Sequence, residues 1–189
     1  MERAMRALVV YESMYGNTHT VAEGIGDGLR AVAEVTVLPV ARIGGEDLSG
    51  IDLLVVGGPT HIHGVTTARS RKTAIDAASA PDSDLTIDPD AEGPGLREWL
   101  DGLDVPGATN AAAFDTRIDG PTLMTGRASR GIARRLRGLG LEMIAPPESF
   151  VVDRDNHLRP GVAEAARAWG LQLGRSRVEA AGTSDAPAS

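Results

Sequence analysis

Two apolar runs separated by an amphipathic segment dominate the first third of the chain. Residues 7–11 (ALVVY) and 51–57 (IDLLVVG) are nearly uninterrupted apolar runs rich in Val and Leu. Such runs are typical of strands buried on both faces. Between them, Val21, Ile25 and Leu29 recur at spacings of four, which predicts a helix with one buried face. The chain therefore begins with strand, helix and strand.

The remaining patterns continue this alternation. Further strands are expected at 34–39, at 108–114 and, interrupted by Pro146-Pro147, at 141–145 and 150–152. Further helices are expected at 68–80, at 96–103, at about 128–139 and from Pro160 to about residue 174. Five strands alternating with helices indicate an α/β fold, a doubly wound five-stranded parallel sheet of order 2-1-3-4-5. This order puts a ligand crevice at the carboxyl ends of strands one and three.

The segments at that crevice have the composition of an anion site. Residues 12–18 (ESMYGNT) place hydroxyl and amide side chains and Gly16 directly before the first helix. The first N–H groups of a helix lack partners and lie at the positive end of its dipole, and a glycine lets the backbone approach a ligand. Residues 58–64 (GPTHIHG) are expected to form an exposed loop, since Pro59 and its neighbouring glycines disfavour regular structure. Asp115–Ile118 closes the side of the crevice.

Several classes of site are excluded by missing residues. There is no Gly-Lys-Ser/Thr of a nucleoside-triphosphate loop, and Gly24, Gly26 and Gly28 lie inside the helical pattern at the wrong spacing for a dinucleotide fingerprint. With no cysteine, disulfides, thiolate metal sites and a cysteine nucleophile are excluded. Ser13 lacks a Gly-x-Ser-x-Gly elbow. No metal site is predicted, because His61-x-His63 has no accompanying Cys or compact Asp/Glu set.

Charge and hydropathy limit the setting and the partners. The formal net charge of −7 argues against nucleic-acid binding. No apolar run has the length of a membrane span, and the first residues lack the apolar region of a signal peptide. We therefore expect a cytoplasmic protein with no nucleic-acid and no membrane partner.

We expect one domain over residues 1–174 and a disordered tail over 175–189. An acidic Pro/Gly/Asp-rich insertion at 81–95 is expected to be solvated and partly mobile. Four arginines share one face of the helix predicted near 128–139: Arg127, Arg130, Arg134 and Arg137. This face is either simply solvated or a docking patch for an acidic partner or for the phosphates of NAD(P)H.

Two motifs of this chain resemble motifs of the flavodoxin superfamily. The fold of that superfamily has the strand order 2-1-3-4-5 that is predicted here. The segment Ser13-x-Tyr15-Gly16-x-Thr18 is similar to its FMN phosphate loop, (Ser/Thr)-x-Thr-Gly-x-Thr, with Tyr15 in place of Thr. Met-Tyr-Gly at this place resembles the tryptophan-repressor-binding-protein type of quinone reductase and short actinobacterial flavodoxin-domain proteins. The second motif is the Gly-Gly-Pro-Thr-His turn at 57–61. The resemblance covers residues 6–174.

The resemblance implies FMN as the cofactor. By position, the phosphate would be held by Ser13, Met14, Tyr15, Gly16, Asn17 and Thr18. The ring would be lined on one side by Pro59, Thr60, His61 and Ile62 and on the other by Asp115, Thr116 and Arg117. Neither ring-lining segment contains Trp, Tyr or Phe. A cationic Arg117 beside the ring would favour two-electron chemistry.

Three functions follow from this resemblance. The first is an FMN-binding protein that takes part in electron transfer with a redox partner protein. The second is an FMN-dependent NAD(P)H:quinone-type oxidoreductase. The third is a flavin-free module of the same fold that binds a protein partner through the arginine-bearing helix.

Overall fold

The computed structural model describes residues 3–44, 48–61, 64–105, 109–121 and 125–184. The strands are β1 (Arg6–Tyr11), β2 (Glu34–Pro39), β3 (Leu53–His61), β4 (Gly64–Val65), β5 (Asn110–Ile118), β6 (Glu142–Met143) and β7 (Glu148–Val152). The helices are α1 (Asn17–Leu29), α2 (Ala68–Ala78), α3 (Leu96–Asp101), α4 (Ala128–Gly138) and α5 (Val162–Ser184), and a 3-10 turn spans Val40–Arg42. None of the described helices is long and apolar enough to cross a bilayer.

The sheet confirms the predicted fold class. Its order is β2-β1-β3-β5-β6, and both β6 and β7 pair with β5 in parallel. The predicted fifth strand is thus split into β6 and β7 on either side of Pro146-Pro147, since proline has no N–H to donate to a ladder. Only the short β4, antiparallel to the end of β3, adds to the predicted order 2-1-3-4-5 in the described chain.

Alternating side chains of the central strands fill two separate cores. In β1, Leu8 and Val10 pack with one layer, under α3 and α4, while Val9 packs with the other, under α1 and α5. In β3, Leu54 and Val56 join the first core and Val55 joins the second. Because both faces are covered, each strand is a continuous apolar run rather than an alternating one.

The α1 helix lies unusually close to α5. A Cβ atom added at Gly28 would collide with the carbonyl oxygen of Arg167, and one at Gly170 would collide with that of Ile25. Gly26 instead faces β2, where a Cβ would contact the Val37 side chain. The glycines that do not fit a dinucleotide fingerprint are therefore packing positions: Gly24 and Gly28 lie against α5, and Gly26 lies against β2.

The predicted loop at 58–64 is wrong for residues 58–61, which continue β3. Gly58 and Pro59 stay in register with Asp115 and Thr116 of β5, whereas β1 accompanies β3 only as far as Gly57. Pro59 lies after the end of the β1 pairing and before the β4 pairing, which begins at Thr60, so the N–H that proline lacks has no ladder partner to lose on that side. Residues 62 and 63 lie outside the described chain.

The fourth strand is also longer than predicted. It begins at Asn110 and continues through Ile118, so that Asp115, Thr116 and Arg117 belong to β5 and not to a loop after it. The reason is β7, which pairs with β5 from Phe114 to Ile118. The sequence predicts a fifth strand. It does not predict that the second half of that strand, β7, pairs with the end of β5 and so lengthens it.

Two segments predicted to be solvated contain helical or buried positions. The α5 helix begins at Val162 rather than Pro160 and continues to Ser184, so residues 175–184 are not a disordered tail; 185–189 lie outside the described chain. In the acidic segment 81–95, Asp88 and Ala91 are buried. Asp88 donates its N–H to the carbonyl of Met14 at 2.8 Å, which ties the segment to the turn after β1.

Gly28→Ala should destabilise the protein by about 2 kcal/mol or more, because overpacking at a backbone contact has no flexible side chain to yield. The matched control is Gly138→Ala in α4, where a Cβ would meet nothing within 4 Å. That variant should be neutral or more stable by up to about 1 kcal/mol. Urea unfolding of both variants measures the difference. Equal midpoints would contradict the proposed α1–α5 contact.

Candidate functional site

The turn between β1 and α1 has the geometry of an anion-binding helix start. Gly16 has a φ of 86°, a left-handed conformation that glycine adopts without strain, and it donates its N–H to Ser13 Oγ at 3.1 Å. The first intrahelical hydrogen bond of α1 runs from the Thr20 N–H to the Gly16 carbonyl at 3.0 Å. The N–H groups of Asn17 and Thr18 precede it, so they are donors at the positive end of the helix.

A cavity of about 140 Å³ opens beside this helix start. It brings together eight of the predicted site residues: Met14, Tyr15, Asn17, Thr18, Pro59, Thr60, Thr116 and Arg117. Ile118, Val152 and Asn156 complete its lining. Segments that are 41 residues apart in sequence or more thus converge at the carboxyl ends of β1, β3 and β5, as the strand order requires.

A buried pair of hydroxyl groups joins α1 to the sheet at this cavity. Thr18 Oγ1 and Thr116 Oγ1 lie 2.7 Å apart, and both residues are buried. A hydroxyl has one proton and two acceptor lone pairs, so the group that accepts here keeps its own proton for a second partner. The pair therefore has capacity for a ligand oxygen while fixing the first turn of α1 on β5.

Arg117 is the one charged residue among those that line the cavity in the described chain. Its Nη1 donates to the Gly120 carbonyl at 3.0 Å and to Thr125 Oγ1 at 3.2 Å. Its Nε is buried and has no hydrogen-bond partner. The guanidinium is therefore held in place by the segment after β5 and retains an unsatisfied donor, which favours an anionic ligand nearby.

Tyr15 is the single aromatic residue among the described cavity-lining residues. Its hydroxyl donates to the Ala74 carbonyl of α2 at 3.0 Å, and its ring packs near Met14 and Ala91. Burial raises the pKa of Tyr15 above its ordinary value, which keeps the phenol neutral. The residue at which the chain departs from the phosphate-loop pattern thus connects that loop to α2.

The turn after β7 supplies a wall that the sequence reasoning missed. Asn17 Nδ2 donates to the Asn156 carbonyl at 2.7 Å, and Asn156 has a φ of 62°. The turn is held by Asp153 Oδ1, which accepts the N–H groups of Asp155 and His157 at 2.9 and 2.8 Å. The run Asp-Arg-Asp-Asn directly after a predicted strand is the signal that could have identified it, because Asp and Asn stabilise such turns.

Several of the predicted site residues make structural hydrogen bonds. Asp115 is buried outside the cavity lining and accepts the Ser129 N–H through Oδ2 at 2.7 Å. Thr60 lines the cavity, but its Oγ1 accepts the Ala128 N–H at 2.9 Å. Both residues thus cap the N-terminus of α4, each from a different strand. Ser13 supports the Gly16 turn; the side chain of His61 and all of Ile62 lie outside the described part.

A second polar cluster lies at the first turn of α1, where the acidic segment meets it. The rings of Tyr11 and His19 are stacked with centroids 4.9 Å apart, and His19 Nδ1 lies 3.3 Å from Asp88 Oδ2. Burial, together with the charges of Asp88 and Asp90, raises the pKa of Tyr11 above its ordinary value. No group of described side chains in this region, or elsewhere in the described chain, has the arrangement of a metal site.

The predicted arginine face is divided by the structure. Arg127 is partly buried and donates through Nε to Ser149 Oγ at 2.9 Å and through Nη2 to the Pro147 carbonyl at 2.6 Å. The other members, Arg130, Arg134 and Arg137, are exposed. Arg127 thus anchors the start of α4, and the exposed stripe consists of the remaining three residues.

Comparisons with known proteins agree with this architecture. Residues 9–95 match the family model described as flavodoxin, a range that ends with the segment before α3. A flavodoxin from the domain Archaea has a TM-score of 0.59 and 18% identity over 92% of this chain and 99% of its own. Oxidised flavodoxin 2 from Bacillus cereus has a TM-score of 0.61 and 19% identity over 90% and 98%.

A flavodoxin, WrbA-like protein from Agrobacterium tumefaciens has a TM-score of 0.53 and 17% identity over 93% of this chain and 98% of its own. No curated protein matches the sequence. At these identities the solved structures establish the fold, and the family match covers the phosphate-loop region and β3. Together they show that the chain has a flavodoxin-like fold and that its residues 9–95 are similar to the flavodoxin family.

Proposed function

We propose that the protein binds FMN non-covalently in the cavity beside the start of α1 and takes part in electron transfer with a redox partner protein. One observation carries this proposal. The N-terminal N–H groups of α1, the Thr18–Thr116 pair and the Arg117 guanidinium converge on one cavity whose described lining contains no carboxylate. A set of neutral and cationic donors suits a phosphate ester.

The residues present fit the phosphate end of FMN better than its ring. The left-handed Gly16 leaves space beside the loop, and the unpaired Nε of Arg117 supplies a buried donor. A volume of about 140 Å³ is well below the roughly 300–1,000 Å³ typical of small-molecule sites. The cavity is therefore the phosphate end of the site, and the ring is held at its mouth.

Each part of the chain has a defined task in this proposal. The Asn17 and Thr18 N–H groups bind phosphate oxygens, and the Thr18–Thr116 pair orients a hydroxyl toward them. The hydrogen bond from Asn17 to Asn156 fixes the wall of the cavity. When bound, FMN supplies the electron transfer itself, because that chemistry belongs to the flavin.

Ring binding is expected to be weak for a chain of this fold. Tyr15 is the one described aromatic side chain at the cavity. By analogy with base stacking, a missing aromatic platform costs about 1–3 kcal/mol. We therefore expect FMN to be retained through its phosphate more than through its ring.

The purified protein mixed with FMN and freed of excess should keep absorbance bands near about 375 and 450 nm, the flavin's own. Riboflavin, which lacks the phosphate, is the matched ligand control and should bind at least tenfold more weakly by fluorescence titration. Equal affinity for the two would remove the phosphate assignment. Retention of neither would favour the flavin-free module and direct attention to the exposed arginines of α4.

The double variant Thr18→Val, Thr116→Val should bind FMN at least tenfold more weakly, since a hydrogen bond to a charged group is worth roughly 1.5–3 kcal/mol. Its stability should stay near that of the unmodified protein, because both partners of the buried hydrogen bond are replaced by apolar groups of similar shape. Thr73→Val, at an exposed position of α2, is the control and should change neither quantity. Unchanged FMN affinity in the double variant would refute the placement of the phosphate.

A second candidate function is an FMN-dependent NAD(P)H:quinone-type oxidoreductase. The observation that favours it is Arg117, a fixed cation at the cavity; in this alternative it lies beside the ring rather than the phosphate, where it would stabilise negative charge on reduced FMN. A structural neighbour that is described as WrbA-like is compatible with it. The distinction from a carrier is whether NAD(P)H alone reduces the bound flavin.

Arg117→Gln should lower the midpoint potential of bound FMN, because the loss of the cation makes the anionic reduced form less stable. Anaerobic reductive titration against a reference dye measures the potential. Arg69→Gln on α2 is exposed and should leave the potential unchanged. If both variants keep the original potential, Arg117 does not act on the flavin, and the argument for the oxidoreductase is lost.

A further inference from the structure

A second cavity lies at the opposite edge of the sheet from the proposed FMN site. Its volume is about 360 Å³, and its lining includes Arg3, Met5, Asp52 and Arg177. Met5 directly precedes β1 and Asp52 directly precedes β3, so the cavity is at the amino ends of these strands. Its volume falls within the roughly 300–1,000 Å³ range of small-molecule sites.

The described residues that line this cavity carry one more positive than negative charge. Both carboxylate oxygens of Asp52 are engaged: Oδ1 accepts from Arg3 Nη2 and Oδ2 accepts from the Arg6 N–H, each at 2.8 Å. Arg177 adds a second guanidinium, and its Nε is buried with no hydrogen-bond partner in the described chain. A cavity with two arginines and one aspartate therefore has a net charge of +1, in a chain whose formal net charge is −7.

The rest of the lining is apolar. Met5 and Val32 form part of the wall, and Val178 lines the cavity while remaining 50% exposed. Next to Arg177 on α5, Val178 is one of the few large apolar side chains of the described chain that are half exposed. The cavity thus places the Arg177 cation beside an apolar surface that is exposed to solvent.

We propose that this cavity binds a small organic monocarboxylate with an apolar body. The planar guanidinium of Arg177 matches a carboxylate in charge and geometry, and such pairs are often bidentate. Met5, Val32 and Val178 cover the apolar body, which removes their exposed surface from water. Because Arg3 is held by Asp52 and by the Gly50 carbonyl, Arg177 is the specificity-determining residue.

The proposal is tested with octanoate on the full chain by isothermal titration calorimetry. Acetate and 1-octanol are ligand controls, since the first keeps the charge without the apolar body and the second keeps the body without the charge. Octanoate should bind at least tenfold more tightly than either. Arg177→Gln should weaken octanoate binding at least tenfold, while Arg175→Gln, an exposed arginine two residues away on α5, should leave it unchanged.

A further variant covers the case in which Arg177→Gln fails to fold. Val178→Glu changes a half-exposed side chain and places a negative charge at the rim, so it should also weaken octanoate binding at least tenfold. The proposal is overturned if octanoate does not bind, if it binds Arg177→Gln and the original chain equally, or if 1-octanol binds as tightly as octanoate. FMN affinity, measured in parallel, should be the same in all these variants, because the two cavities lie at opposite ends of the strands.

Discussion

The buried hydrogen bond between Thr18 and Thr116 is the contact on which the candidate site depends. It joins the first turn of α1 to β5 across residues that are 98 apart in sequence. The helix start can present its N–H groups to a ligand only if it is fixed relative to the sheet. This pair fixes α1 at its N-terminus, and glycine contacts with α5 fix it along its length. A helix held so closely cannot rotate without breaking packed backbone contacts.

The central elements were predictable because their local signals agree with their tertiary surroundings. Buried on both faces, β1 and β3 are continuous apolar runs, and β2 coincides with its predicted range 34–39. The ends of β3 and β5 could not be predicted in this way. Gly58-Pro59 has the composition of a turn, yet it stays extended because β5 accompanies it, and β5 itself continues because β7 does. Pairing between distant strands decides these ends, and a local pattern does not contain that information.

The sequence predicted which residues lie at the candidate site better than it predicted what each of them does there. The strand order brings the predicted segments together, and eight of the predicted residues line one cavity. Asp115 and Thr60, however, receive the first N–H groups of α4, a helix whose N-cap residue, Arg127, makes no side-chain capping hydrogen bond. The absence of a local cap was visible in the sequence, since none of the preferred capping residues stands directly before the helix. The sequence did not show which distant side chains would replace the missing cap.

The exposed arginine stripe of α4 makes the charge distribution of an otherwise acidic molecule asymmetric. Arg130, Arg134 and Arg137 are exposed on one helix face, while the chain as a whole has a formal net charge of −7. An anionic body approaching from an arbitrary direction is therefore repelled, whereas one that meets the stripe is attracted. The resulting torque turns the molecule before contact is made. Because a Debye length at physiological ionic strength is only about 8 Å, this rotational selection acts over about that distance before contact and weakens as salt is added.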